Sequence, residues 1–268
     1  MIADALFASA FQLQVWIGMV LVFSVRPAVL FLVLPATTAP CMTATVRNLL
    51  TMIFSLHVVS GASPAAFAAL ATPPQLALMV LREAFIGFTL GFAASQAFWV
   101  AQSVGACIDN LAGYNNVQLI NPSSSEQNTP VSDLMLNLCV AVFWAGGGML
   151  ALLGLLGSTY HWWPVLEATP HWPSMPLSFA ELQLTGLMRM VVSVAMPLLF
   201  ILAFIDVGLG LVARAAKNVD TTPLGTPLKS ACALLALVLF STVFIEDIRR
   251  YLLLEDLPVV LERWRSLK

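Results

Sequence analysis

The sequence predicts an all-α, multi-pass membrane protein, and three observations carry that expectation. Of its 268 residues 59% are hydrophobic and only 10% are charged, where a soluble domain has about a quarter charged. Mean hydropathy is +0.89. The apolar residues gather into runs that match the roughly 20 residues a bilayer-spanning helix needs. Period-2 alternation of the outer-membrane barrel type is absent, and the runs are longer than barrel strands. A net charge of −2, with no basic face for a phosphate backbone, excludes nucleic-acid binding.

Charge-poor runs bounded by charges, prolines or polar turns predict about six long apolar helices, at 12–34, 43–60, 77–104, 132–157, 183–212 and 228–246. The opening stretch MIADALFASAFQLQVW lacks the basic region of a secretory signal, and the apolar run is too long for a cleaved one. It is expected to remain as the first membrane segment. The breaks are LPATTAP (34–40) and GASPAAFAALATPP (61–74), whose prolines, glycines and threonines stop helices. STYHWWPVLEATPHWPSMP (158–176) sets Trp162, Trp163 and Trp172 among prolines, as an interfacial turn does. RAAKNVDTTPLGTPLK (214–229) is the clearest hydrophilic turn.

The positive-inside rule fails on this topology. Six spans put both ends on one side, yet Arg214, Lys217 and Lys229 sit in the fifth turn while Arg249, Arg250, Arg263, Arg265 and Lys268 follow the sixth span. Arg189 and Asp206 also leave only 190–205 uncharged, with Pro197 inside. Such a helix is expected to be satisfied by protein as much as by lipid.

Between the third and fourth runs lies GACIDNLAGYNNVQLINPSSSEQNTP (105–130), long, polar and carrying only Asp109 and Glu126 as charges. Loops of this length tend to be functional or disordered. Ionisable groups within apolar segments are Arg26, Arg82, Glu83, Asp133, Arg189 and Asp206; by default these face a bundle interior or an aqueous path. Arg82, Glu83 and Asp133 read as helix-end groups reaching an interface, whereas Arg189 and Asp206 are deeper and call for partners. Gly87, Gly91 and Ser95, at four-residue spacing, let helices approach closely. Cys41, Cys107, Cys139 and Cys232 form neither a disulfide framework nor a zinc pattern and read as small buried hydrophobes. No catalytic, cofactor or metal motif is present, and an enzyme is not expected.

The stretch 83–135 resembles the signature region of the FliR/SpaR/YscT/HrcT family, the T-type export-apparatus subunit of type III secretion. Glu83, Gly87 and Gly91 precede Gly105, Ile108, Asp109, Gly113, Asn121, Pro122 and a Ser/Pro stretch. Downstream, 147–164 and 196–231 resemble later family helices, with Pro197, Asp206, Gly210, Arg214, Asn218 and Lys229 in register. Ala216-Lys217 and Asp220 stand where the family commonly has Pro-Gln and an aromatic.

The resemblance implies one export-gate membrane domain over 1–268, with a C-terminal helical hairpin at 183–246 and a charged tail at 247–268. It implies a non-enzymatic, cofactor-free subunit of the bacterial inner membrane, of the injectisome or the flagellar branch, with the charged tail favouring the injectisome. Its partners would be R-type and S-type gate subunits, U-type and V-type apparatus subunits and unfolded secreted proteins, in an assembly raised partly out of the bilayer. The family's channel plug maps onto 109–122: Asp109, Asn110, Gly113, Tyr114, Asn115, Asn116, Leu119, Ile120, Asn121 and Pro122. Helix packing would fall to Glu83, Gly87, Gly91 and Gly105, and buried or hairpin-turn charge to Arg189, Asp206, Arg214 and Lys229. Two other readings stay open: a small-solute secondary transporter, for which no inverted repeat is visible, and a scaffold that only nucleates assembly.

Overall fold

In a computed structural model of the chain, the described residues are 2–38, 41–112, 119–120, 127–166 and 175–215, together with 227, 229–235, 238 and 246. Their helices in order are α1 (Ile2–Val33), α2 (Ala44–Val59), α3 (Pro64–Leu70), α4 (Pro73–Ala112), α5 (Pro130–Ala145), α6 (Gly148–Trp162) and α7 (Met175–Ala215), with further helix at 229–235. Two short strands, β1 (Leu119–Ile120) and β2 (Gln127–Asn128), pair antiparallel within the 105–130 loop. Among the described residues the fold is all-α apart from this ladder.

Among the described residues three helical stretches are long and apolar enough to cross a membrane: Phe11–Val33, Pro73–Ala112 and Gln183–Val212. The bent pairs α2 with α3 and α5 with α6 raise the number to five if each is one span. The sixth expected run, 228–246, and the tail 247–268 lie largely or wholly outside the described residues.

Two local differences from the sequence expectation have clear causes. The run 132–157 is divided between α5 and α6, because Gly147 adopts φ +76°, a conformation that side chains resist and that ends a helix. The 61–74 break contains α3. There Ser63 Oγ accepts the Ala66 amide at 3.4 Å and Pro64 supplies a preset first helical residue.

The chain forms two compact units. The first comprises the described residues within Met1–Ser95 and Met149–Pro173. Met19, Val22, Phe23, Val59, Phe67 and Val165 make its buried apolar cluster. Along one side, α4 lies against α1 with almost no clearance. A Cβ on Gly87 would fall 2.4 Å from the Arg26 carbonyl oxygen, and one on Gly91 would fall 3.1 Å from that of Leu30. One turn on, Ser95 Oγ lies 3.2 Å from the Val33 carbonyl, to which it donates. The Gly87–Gly91–Ser95 stripe thus rides directly on the backbone of 26–33, the close approach that small residues allow between membrane helices.

The second unit comprises the described residues within Gln96–Gly148 and Ser174–Asp256. The later half of α4 packs on α5 through Phe98 and Phe143, whose rings meet edge to face at 5.6 Å. A Cβ on Gly105 would lie 2.5 Å from Ser132 Cα. Gln96 Nε2 donates to the Gln183 carbonyl at 2.9 Å, and α7 buries Val194, Ala195, Leu198 and Leu202.

Gly87→Ala is expected to lower the unfolding temperature of the purified chain in detergent, because the obstruction is backbone and cannot swing away; overpacking costs about 1–3 kcal/mol. Gly154→Ala, where nothing lies within 4 Å, is expected to be neutral or slightly stabilising. Equal melting of the two variants would contradict the zero-clearance contact.

Candidate functional site

Two polar constructions stand out against the apolar fold. The first is a buried ionic cluster in the first unit. Arg26 sits in α1 with no exposed surface, and its Nε donates to Glu83 Oε2 of α4 at 2.8 Å. Its Nη1 donates to Thr159 Oγ1 at 2.9 Å and its Nη2 to the Trp163 carbonyl at 3.0 Å. The guanidinium lies 4.1 Å from the centroid of the Tyr160 ring, a cation–π contact. Arg82 adds a second cation: its Nη2 is 3.3 Å from Glu83 Oε1 and donates to the Pro164 and Val165 carbonyls.

Pro27 completes the cluster by what it lacks. A proline has no N–H, so inside α1 the carbonyl four residues earlier, that of Phe23, loses its helical donor. Tyr160 OH fills the place, donating to Phe23 O at 2.8 Å. Arg26, Glu83 and Tyr160 therefore tie α1, α4 and α6 through groups that hydrocarbon would leave unsatisfied. Glu83, expected near a helix end, is fully buried within α4 and has both oxygens engaged.

The second construction is a clasp at the foot of the 105–130 loop. Asp109, in the last turn of α4 and fully buried, accepts the Val131 amide (3.0 Å to Oδ2, 3.3 Å to Oδ1) and the Ser132 amide at 3.0 Å. Those amides belong to the first turn of α5, where backbone donors have no helical partner and a carboxylate is favoured. Ser132 Oγ donates back to the Gln102 carbonyl at 3.1 Å. With Gly105 pressed on Ser132, the two ends of the loop are pinned together.

The remaining residues singled out in the sequence divide as follows. Asp109 and Asn110 close α4 rather than open the loop, and Asn110 Nδ2 donates to the Ala106 carbonyl at 2.9 Å. Leu119 and Ile120 form β1, paired with Asn128 and Gln127. Gly113, Tyr114, Asn115, Asn116, Asn121 and Pro122 lie outside the described residues. Asp206 pairs with Lys229. Arg214 is exposed in the last turn of α7, at the negative end of that helix. Arg189 is exposed in mid-helix, and among the described residues it forms no ion pair. Of the cysteines Cys139 is buried, Cys107 and Cys232 are half-buried and Cys41 is exposed, so the small-hydrophobe reading holds least well at Cys41. Among the described residues no group of His, Cys, Asp and Glu is arranged to hold a metal ion.

Comparison with known proteins settles the family. The family model described as "Bacterial export proteins, family 1" matches residues 17–254. The chain belongs to this family of type III export-apparatus proteins. It is 30% identical over 186 residues to the Yop proteins translocation protein T of Yersinia pestis, covering 69% of this chain and 71% of that one. It is 26% identical over 227 residues to the surface presentation of antigens protein SpaR of Salmonella typhimurium, covering 83% and 82%. The flagellar biosynthetic protein FliR of Bacillus subtilis is 22% identical over 190 residues, covering 68% and 73%. With its long apolar helices, this family member is a multi-pass protein of the bacterial inner membrane with a role in protein export.

Sequence reasoning missed Thr159, Tyr160 and Trp163 as partners of a buried arginine. The signal was Arg26-Pro27 inside an apolar run, which announces both a buried cation and a carbonyl without its donor.

Glu83→Ala is expected to destabilise the chain by about 3–5 kcal/mol, because it strands a buried arginine. The double variant Arg26→Met with Glu83→Leu is expected to lose much less. Thermal unfolding in detergent checks both; a double variant no better than Glu83→Ala would contradict charge stranding as the cause.

Proposed function

We propose that this protein is a non-enzymatic export-gate subunit that helps form the inner-membrane path for unfolded secreted proteins, with the loop after α4 closing that path at rest. The observation that supports this most is the clasp at the loop's foot. Asp109 and Gly105 fix where the loop leaves and re-enters the bundle, while the antiparallel pairing of β1 and β2 folds it back on itself. A segment anchored at its base and free of fixed charge between Gly113 and Pro122 suits a gate. By residue type, Tyr114, Leu119 and Ile120 supply apolar volume, and Asn115, Asn116, Gln118 and Asn121 supply amides able to hydrogen-bond water or backbone. With no fixed charge, it neither locks itself shut with ion pairs nor captures charged stretches of a passing chain.

In this reading Asp109 is a positioning residue that acts through the loop. The partners are the R-type and S-type gate subunits, with U-type and V-type apparatus subunits nearby. The domain organisation is a single gate domain with a late hairpin at 183–246, held at its foot by Asp206 and Lys229.

The test is resting ion conductance of the assembled complex in a planar bilayer. Replacing 113–122 by a Gly/Ser linker is expected to raise it severalfold. Asp109→Ala, which removes a capping carboxylate and costs about 0.5–2 kcal/mol at the clasp, is expected to raise it less. Unchanged conductance in both fully assembled variants would overturn the gate reading; a loop that altered only assembly would favour a scaffold.

A further inference from the structure

The least buried of the long apolar stretches among the described residues belongs to α7. Its span Gln183–Val212 is the most apolar of the three long helical stretches, with a mean hydropathy of 2.5, and only 22% of that window is buried. The buried side is narrow, formed by Val194, Ala195, Leu198 and Leu202.

On the opposite side one line of exposed residues follows a pattern, with Met188, Val192, Phe204 and Leu211 exposed beside it. Arg189, Ser193, Met196, Phe200, Ala203, Val207 and Gly210 recur at intervals of four and three residues, and all are exposed. Such an alternation is the seam of a left-handed helix pair, in which each residue enters a gap on the facing helix. The seam also alternates in size. Phe200, Val207 and Met196 project strongly (73%, 61% and 58% exposed), while Ser193, Ala203 and Gly210 leave depressions between them. Nothing lies within 4 Å of where a Cβ on Gly210 would be.

The seam's other peculiarity is Arg189. It lies on the seam at one end of an otherwise uncharged run, 190–205, and has no ion-pair partner among the described residues. The acidic residues of the same helix are Glu181, eight residues before Arg189, and Asp206, which is engaged with Lys229; neither makes an ion pair with Arg189 among the described residues. A guanidinium within an apolar span is costly unless a counter-charge meets it. A seam of this length, with one cation unmet among the described residues, is complementary to an apolar helix that carries one carboxylate.

We propose that the 189–210 seam of α7 docks a membrane-spanning helix of another apparatus subunit, and that an acidic side chain on that helix pairs with Arg189. The proposal rests on the export-gate reading for the identity of the complex, though not on the loop's role as a gate. Arg189 sets the register of the two helices, since a slip of one turn along the seam would leave it facing hydrocarbon. The alternating large and small residues set the crossing geometry.

The test uses the full chain assembled with its co-expressed apparatus subunits. A photo-crosslinking amino acid is placed singly at Met196, Phe200 or Val207, and at Leu150 of α6 as an exposed control outside the seam. The seam positions are expected to give one discrete adduct with a different membrane subunit. Arg189→Glu is expected to lower recovery of the complex by about tenfold, and Arg189→Lys by roughly threefold or less, in line with the modest strength of polar contacts between membrane helices. Reversing the partner's carboxylate to lysine is expected to restore the Arg189→Glu complex. Adducts with lipid alone, adducts with a second copy of this chain, or an Arg189→Glu complex recovered in full would each overturn the proposal. A chain that co-purifies with no export subunit at all would overturn the export-gate reading itself, which keeps the two failures distinguishable.

Discussion

The contact between Arg26 of α1 and Glu83 of α4 is the constraint on which the first unit depends. It is a fully buried ion pair at 2.8 Å, and it sits one turn from the place where Gly87 lets the two backbones touch. Each feature requires the other. Without Gly87 the helices would stand too far apart for the short Arg26–Glu83 contact. Without the pair, two ionised groups would sit unmatched in an apolar interior. Thr159, Trp163 and Tyr160 then satisfy the rest of the arginine, so α6 is drawn into the same arrangement.

A related economy appears at the foot of the loop. Asp109 stands in α4 seven turns of chain beyond Glu83, and again a fully buried carboxylate joins two helices, here by accepting the amides at the start of α5. Gly105 plays the part of Gly87, removing the side chain that would keep the segments apart. Both carboxylates lie on one continuous helix, so α4 is fastened near each end of its apolar length. The segment between α4 and α5 is then defined by its anchors, whatever the conformation of its middle.

Much of the helical layout was legible in the sequence, since apolar runs, prolines and glycines mark where helices start and stop. The Gly87–Gly91–Ser95 stripe also announced a close helix contact, though not that α1 would be its partner. What sequence reasoning placed wrongly were features set by pairing across long separations. Glu83 looked like a helix-end residue because it lies near the start of the expected 77–104 run, and its contact with Arg26, 57 residues away in sequence, explains its burial. The run 132–157 looked like one helix, whereas the positive φ of Gly147 divides it into two. At the loop, polarity marked the segment but could not show that Asp109 closes α4. Its role came from backbone amides, which carry no trace in side-chain composition.

The measurement that bears most directly on the export path is photo-crosslinking from Tyr114 to a secreted protein arrested in transit through the assembled complex. A loop that closes the path must be pushed aside by the passing chain and stay beside it. A discrete adduct between position 114 and the arrested substrate is the result expected here, with none when the complex is idle. No adduct from any position between 113 and 122, in a complex with substrate demonstrably lodged in it, would contradict a gate at this loop.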